Sequence, residues 1–339
     1  MHRFLKAKGR IAVPEKLGLI LQRIGGGPID QNFRSKVLVL KRFTCRFLTM
    51  KRSQRYKLAK YLILKLNLSG LFIRLYPIAI ESRFSNVSRE KLDKIRSYFE
   101  LEIDDSSRLI RLGDMNDGGY VLVDEIHKTN VCLSFGIGSN YSFDLAIAEF
   151  CAEVWMFDHT IKPPTQLLEN MTFFSKGVST IRNTSMTTIN DVMDQFEFNV
   201  DFILKIDIEG KEWDIIDDLT YDNLVKCTQI IIEFHDLHKI GNDNHFIKIV
   251  KALDKITKSH SLRNIHSNNW ANFDLICGLP TPDVIEATFY RKSKDRVDDS
   301  SSITLSSLQN MPNNGDLPDD EMNFISTVRV NAHPRKKLG

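Results

Sequence analysis

The residues best suited to chemistry stand at the ends of apolar runs. Phe202-Ile203-Leu204, Ile206 and Ile208 form a β-branched stretch into which Asp207 and Glu209 intrude, and Gly210 then lets the backbone turn. Short apolar runs of this kind read as buried strands. In open α/β sheets, ligands bind in the crevice outside the carboxyl ends of the strands. Two further runs end similarly, one in Glu233 and His235, the other in His266 followed by Asn268 and Asn269. Carboxylates and imidazoles gathered on one rim can act as general acid and base. They can also hold a divalent metal, for which Asp207, Glu233 and His235 are the candidate ligands. The plainer alternative is that Asp207 or Glu209 caps the following helix.

A second group has the character of a nucleoside site. Val131-Cys-Leu-Ser-Phe135 is an apolar run that ends in Gly136-Ile-Gly138, and Asp158 ends the next run about twenty residues on. A glycine turn opening a helix lets backbone N–H groups approach a ligand, and an acid at the next strand end can accept hydrogen bonds from ribose hydroxyls. The third glycine of a dinucleotide fingerprint is missing, because that position is Tyr141. The GxxxxGK[ST] phosphate loop is absent as well. A nucleoside cofactor with little negative charge therefore fits better than NAD.

These residues need a scaffold, and the chain supplies one from residue 131 onward. Strand-like runs at 131–135, 153–157, 172–174, 202–206, 229–235, 262–266 and 284–290 alternate with helical patterns at 143–150, 165–170, 188–196, 212–218 and 245–259. The helix over 245–259 places Phe246, Ile249, Val250, Leu253 and Ile256 on one face. This alternation predicts an α/β fold with a doubly wound, mostly parallel, Rossmann-like sheet and an antiparallel C-terminal edge. A helix capped by Ser88 and a hairpin built on 109–114 and 117–123 lead into it. The expected organisation is an arm over 1–83, a domain over 84–292 and a polar tail over 293–339.

Composition limits the remaining choices. The chain is 42% hydrophobic and 26% charged, as a soluble globular protein is, and it contains no apolar run of membrane-spanning length. The five cysteines are scattered without a CxxC, so Cys132, Cys227 and Cys277 read as buried reduced thiols and the cytoplasm is the expected compartment. The net charge of +3 hides a strong asymmetry. Residues 1–83 hold nineteen of the 46 Lys and Arg but only three of the 43 Asp and Glu, which leaves 27 basic and 40 acidic residues in the remainder. Such an arm can pack on the body as accessory helices or lie peripherally on an anionic membrane surface. Nucleic acid is the weaker partner, since no zinc-finger or RNP-like signature occurs.

Ser134-Phe-Gly-Ile-Gly-Ser-Asn140, Phe157-Asp158 and Leu204-Lys-Ile-Asp-Ile-Glu-Gly-Lys-Glu-Trp213 together resemble the FkbM-type methyltransferases, a family of class I S-adenosylmethionine-dependent enzymes. Arg111–Val121, Ile232-Glu-Phe-His235, Ile265-His-Ser-Asn-Asn-Trp270, Pro282–Lys292 and Pro312–Asp319 are similar to further family segments, so the resemblance runs over roughly 108–320. It implies methyl transfer from S-adenosylmethionine to a hydroxyl of a small molecule, sugar, glycan or natural product. It also implies that Ser134, Gly136, Gly138 and Asp158 meet the cofactor and that Asp207, Glu209, His235 and His266 surround the acceptor. Ser134 stands where many class I enzymes carry an acid, and Ser267 where a glycine is frequent. A catalytically silent scaffold that recruits partners through the basic arm is the competing reading, followed by a nicotinamide oxidoreductase on a similar sheet.

Overall fold

The computed structural model describes residues 89–104, 108–127, 130–196, 199–271, 273–276, 279–292, 300–301, 310–313, 315 and 328–331. The basic arm, Ser88, Cys45 and Cys277 lie outside them. In chain order the strands are β1 (Leu101–Asp104), β2 (Leu109–Leu112), β3 (Tyr120–Val123), β4 (Val131–Phe135), β5 (Glu153–Phe157), β6 (Met171–Phe174), β7 (Gly177–Val178), β8 (Met186–Thr187), β9 (Phe202–Ile206), β10 (Cys227–Phe234), β11 (His260–Ser267), β12 (Phe273–Ile276), β13 (Leu279–Pro282), β14 (Ile285–Arg291), β15 (Ser300–Ser301) and β16 (Val328–Asn331). The helices are α1 (Arg89–Arg96), α2 (Ser142–Ala148), α3 (Ile189–Met193), α4 (Glu212–Asp218), α5 (Tyr221–Leu224) and α6 (Asp243–Ser259).

The expected α/β sheet is present. Its core runs β6-β5-β4-β9-β10-β14-β11, with β6, β5, β4, β9 and β10 parallel to one another. Chain order reverses at β4, which lies between β5 and β9, and ligands bind at such a switch point. The antiparallel C-terminal pair also forms. β14 inserts between β10 and β11 and runs against both, and the sheet continues past β11 through β1, β16 and β15. Residues 300–301 and 328–331 of the polar tail thus belong to the main sheet.

β4, β9 and β10 are buried along their whole length, which is why they read as continuous apolar runs rather than as an alternation. One face of the sheet is covered by α1, α3, α4 and α6. There Ile249, Leu253 and Ile256 of α6 are fully buried, and Trp213 of α4 stacks on Phe234 with ring centroids 4.0 Å apart. The other face is covered by α2, through Phe143 and Ile147, and by the β2–β3 hairpin. Hydrogen bonds from the sheet help to dock that hairpin. Thr288 donates its hydroxyl to the Val121 carbonyl at 2.5 Å, and the Gln229 side chain both accepts from the Val123 N–H and donates to its carbonyl, each at 2.9 Å.

The helix expected over 165–170 does not form, and that stretch is irregular. Pro163-Pro164 precedes it, and Leu167 and Leu168 are 37% and 45% exposed, so it has no buried face to offset the cost of nucleating a helix. α3 begins as the sequence predicts, with the Thr188 side chain accepting from the Asp191 N–H. It is shorter than expected, because its regular part stops at Met193. Cys132, Cys151 and Cys227 are buried.

Candidate active site

Register across the sheet explains how the site is assembled. Glu286 on β14 is the direct partner of Glu233 on β10 and of His266 on β11. Ile232 pairs with Ile206, and Ile206 with Phe135, so the next positions along are Glu233, Asp207 and Gly136. His266, Glu286, Glu233, Asp207 and Gly136 therefore form one row across five strands. Neighbours in register point to the same face, and here it is the face that carries the hairpin.

The glycine turn closes one end of this row. Gly136 has φ +78, and a Cβ there would lie 1.6 Å from the Asp207 carbonyl oxygen. Only glycine lets the end of β4 pass so close to the end of β9. Gly138, at φ +61, has open space where its Cβ would be. That open space would let a nucleoside cofactor approach the backbone of the turn, so the residues present are compatible with S-adenosylmethionine.

Asp158 organises the same turn. Its Oδ2 accepts from the N–H groups of Ile137 at 2.9 Å and Gly138 at 3.0 Å, and its Oδ1 accepts from the N–H and hydroxyl of Thr160, both at 2.7 Å. Burial alone would raise the carboxyl's pKa. The Thr160 hydroxyl and the Gly138, Thr160 and Ile137 N–H groups outweigh burial and hold it below the usual range. Four acceptances fill the lone pairs of a carboxylate, so Asp158 acts first on the turn, and a ribose hydroxyl would share an oxygen already engaged. Asp158→Asn places an NH2 group where two donors now point. We expect it to cost about 1–3 kcal/mol for each N–H left without an acceptor and to weaken S-adenosylhomocysteine binding, as read from denaturant midpoints and calorimetric titration. Unchanged midpoints would show that the turn does not depend on the carboxylate. Ser134 is fully buried within β4.

Asp207 holds the centre of the row. The Tyr120 hydroxyl donates to its Oδ2 at 2.8 Å, and the Lys205 Nζ lies 3.7 Å from the same oxygen. Lys205 also donates to the Gly136 carbonyl, which ties the two strand ends together. Tyr120 was not anticipated from sequence. It comes from a hairpin whose docking is a tertiary event, and burial together with the nearby acids pushes its phenol well above its ordinary pKa.

Glu233 is buried, and its Oε1 accepts from Asn268 Nδ2 at 2.9 Å. Burial, reinforced by the negative charges of Asp207 and Glu286, pushes it well above the carboxylate range. Glu286 too was missed from sequence. Its strand is antiparallel, so the rim receives the beginning of β14 rather than its end. Its Oε1 accepts from Asn313 Nδ2, and its Oε2 lies 3.5 Å from His266 Nδ1.

His235 forms the second branch. Its Nδ1–H donates to Glu212 Oε1 at 3.0 Å, while its Nε2 lies 3.3 Å from Glu209 Oε2 and 3.8 Å from Glu233 Oε1. Trp213 Nε1 donates to the His235 carbonyl at 2.7 Å, so the helix core positions the imidazole. Glu209 sits outermost, its side chain 87% exposed on a left-handed backbone at φ +60. The sequence-predicted residues thus divide into an inner group of Asp207, Glu233 and His235, an outer Glu209, and His266 two strands away beside Glu286.

Burial would lower the His235 pKa, but the Glu212 hydrogen bond, followed by the charges of Glu212, Glu233 and Asp207, raises it to about 9. A raised imidazole pKa contributes stability that is complete below its ordinary value near 6.5 and is lost as pH climbs through about 9. Glu212 is held below its ordinary 4.5, so its own contribution is lost only on acidification. We expect melting temperature to fall between pH 6.5 and 9 more steeply in the wild type than in His235→Gln. Parallel curves would show that the pair is not coupled to folding.

Comparison with known proteins assigns the family. The model of the methyltransferase FkbM domain matches residues 81–259, just over half of the chain. Among solved structures, an rRNA methylase from Streptococcus thermophilus aligns at 12% identity over 50% of this chain and 90% of its own, with a TM-score of 0.27. Precorrin 8W decarboxylase from Methanobacterium thermoautotrophicum aligns at 14% identity over 49% and 83%, with a TM-score of 0.27. The fibrillarin/Nop5p complex aligns at 13% identity over 49% and 75%, with a TM-score of 0.31. Similarity this low adds nothing to the reading of individual residues. A search of curated proteins finds no match. The extent of the domain match is sufficient by itself, and this chain belongs to the FkbM methyltransferase family.

Proposed function

We propose that the protein transfers a methyl group from S-adenosylmethionine to a hydroxyl oxygen of a small molecule or glycan, with the hydroxyl proton received at the acidic row. The observation that carries this reading is the Tyr120–Asp207–Glu233 arrangement beside the glycine turn. The cofactor supplies an electrophilic methyl on a positively charged sulfur, and a rim rich in carboxylates suits that charge. The backbone of Gly136 and Gly138 would hold the cofactor, with Asp158 setting the shape of the turn. Asp207 keeps one oxygen fixed by Tyr120, and its side chain is 22% exposed, so an acceptor hydroxyl can reach it. Positioning should supply much of the acceleration, as bringing two reactants together in one geometry commonly does.

A second reading has a divalent cation at the same place. Asp207, Glu233 and His235 each offer a ligand atom, all within 4.8 Å of one another. Glu212 on Nδ1 leaves His235 Nε2 facing inward, as orienting carboxylates do for metal-bound imidazoles. Lys205 already supplies a positive charge beside Asp207, which favours the metal-free form. Titration with S-adenosylmethionine and S-adenosylhomocysteine, with and without a chelator, tests both readings. Cofactor binding and turnover that survive chelation support proton transfer by side chains alone. Loss of turnover on chelation would place a metal in the mechanism. No cofactor binding by folded protein would favour the silent-scaffold reading.

A further inference from the structure

Beside the acidic row lies a cleft of about 690 Å³ lined by Asp114, Met115, Asn116, Asp117, Trp270 and Asn313. Two amides tie it to the row. Asn313 Nδ2 donates to Glu286, and Asn268 links Glu233 to the Trp270 loop by donating to the carboxylate and accepting from the Trp270 N–H at 2.9 Å. Trp270 Nε1 and the Asp117 N–H both donate to the Asn313 carbonyl, at 3.1 and 3.2 Å, so the hairpin turn, the Trp270 loop and residue 313 form one wall.

Three features of this wall point to an occupant. The Trp270 indole is 55% exposed although its N–H is anchored, which leaves a flat apolar surface held in place. The Oδ1 of Asn313 is buried without a hydrogen-bond partner in a residue only 3% exposed, so an acceptor is waiting for a donor. Among the described residues that line the cleft there are two carboxylates and no Lys or Arg. Arg111, from the same hairpin, donates its Nε and Nη2 to the carbonyls of Asp114 and Asn116 at 3.0 and 2.7 Å.

We infer that this cleft seats a polyhydroxylated ring of the acceptor, stacked on Trp270 with a hydroxyl donated to Asn313, and that Asp114 and Asp117 exclude acceptors carrying phosphate or carboxylate. The inference rests on the hydroxyl-methylation reading and deepens it, because it selects neutral glycans over nucleotide-linked sugars. A ring face apposed to an indole buries apolar C–H surface while its hydroxyls meet the amides and carboxylates at the edge. A phosphate would meet the like charges of Asp114 and Asp117, and no Lys or Arg lines the cleft among the described residues.

The test uses the full chain saturated with S-adenosylhomocysteine on an array of neutral, sialylated and phosphorylated glycans, with UDP-glucose and GDP-mannose as soluble competitors. Binding should be confined to neutral glycans and fall about tenfold in Trp270→Ala. S-adenosylhomocysteine affinity should be unchanged in that variant. Asp114→Asn/Asp117→Asn should admit phosphorylated glycans. The inference is overturned if charged glycans or nucleotide sugars bind as well as neutral ones, if no glycan binds, or if Trp270→Ala changes nothing. Absence of S-adenosylhomocysteine binding with glycan binding retained would instead remove the methyl-transfer reading and leave the cleft as a saccharide site.

Discussion

Asp207→Asn should lower turnover about 10²–10⁴-fold, the range that a positioned proton acceptor supplies, with little change in S-adenosylhomocysteine affinity. The substitution is close to isosteric. Its carbonyl oxygen can still accept from the Tyr120 hydroxyl, so the geometry at the end of β9 is kept. The amide cannot take up a proton, and it removes a negative charge 3.7 Å from the Lys205 ammonium. Lys205 is buried but retains the Gly136 carbonyl and feels the nearby carboxyl of Asp144, so the loss falls on chemistry more than on fold. Single-turnover rates and KM for the acceptor separate the outcomes. A fall in kcat with KM preserved supports proton acceptance. A rise in KM alone would make Asp207 a binding group, and an unchanged kcat would take it out of the reaction.

Glu233→Gln complements this variant without repeating it. The wild-type carboxyl is already shifted towards its neutral form by burial and by two neighbouring acids. A neutral amide in its place resembles that form and should be tolerated better than Asn at 207. The two acids therefore differ in environment, one fixed by a donor and partly open to solvent, the other buried beside two further acids.

The parts of this site that were legible in sequence share a physical cause. A strand buried on both faces must be apolar, so a charged residue at its end stands out, and Asp207, Glu233 and His235 could be found in this way. Glycine turns are equally visible, because the left-handed conformations at Gly136 and Gly138 leave few other residues admissible. Glu286 and Tyr120 gave no such signal. Glu286 lies at the start of an antiparallel strand, and its meaning depends on β14 being inserted beside β10. Tyr120 looks like an ordinary hairpin residue until the hairpin docks on the sheet and directs its hydroxyl to Asp207. Asn313 lies in a stretch whose polar composition reads as tail although Pro312–Asp319 resembles a family segment, and its pairing with Glu286 ties it to the acidic row. Asp158 was visible as a residue, but its four internal donors were not. Pairing that depends on which loop folds over which strand end leaves no periodicity to read.

Gly136→Ala should have the broadest consequences of any single methyl addition at a described glycine. A Cβ at 136 would sit 1.6 Å from a backbone oxygen of Asp207, a separation that no rotamer change can relieve. Either β4 or β9 must move at its end, and both are central, fully buried strands. The left-handed backbone at φ +78 adds a conformational penalty of about 1–2 kcal/mol to the clash. The same shift would break the Asp207 N–H to Phe135 carbonyl bond of 2.9 Å and move the carbonyl that receives Lys205. Gly138→Ala provides the control. It carries a similar backbone penalty at φ +61 but meets no atom within 4 Å. If the opening over Gly138 is the cofactor cradle, Gly138→Ala should lose a modest amount of stability and a large part of its S-adenosylhomocysteine affinity. Gly136→Ala should lose both together, with a denaturant midpoint lowered well beyond that of Gly138→Ala. Equal cofactor affinity in wild type and Gly138→Ala would move the cofactor away from this turn. A Gly136→Ala protein as stable as wild type would mean that the ends of β4 and β9 are not locked against each other, and the row of acids would then lose the geometry on which its proposed chemistry depends.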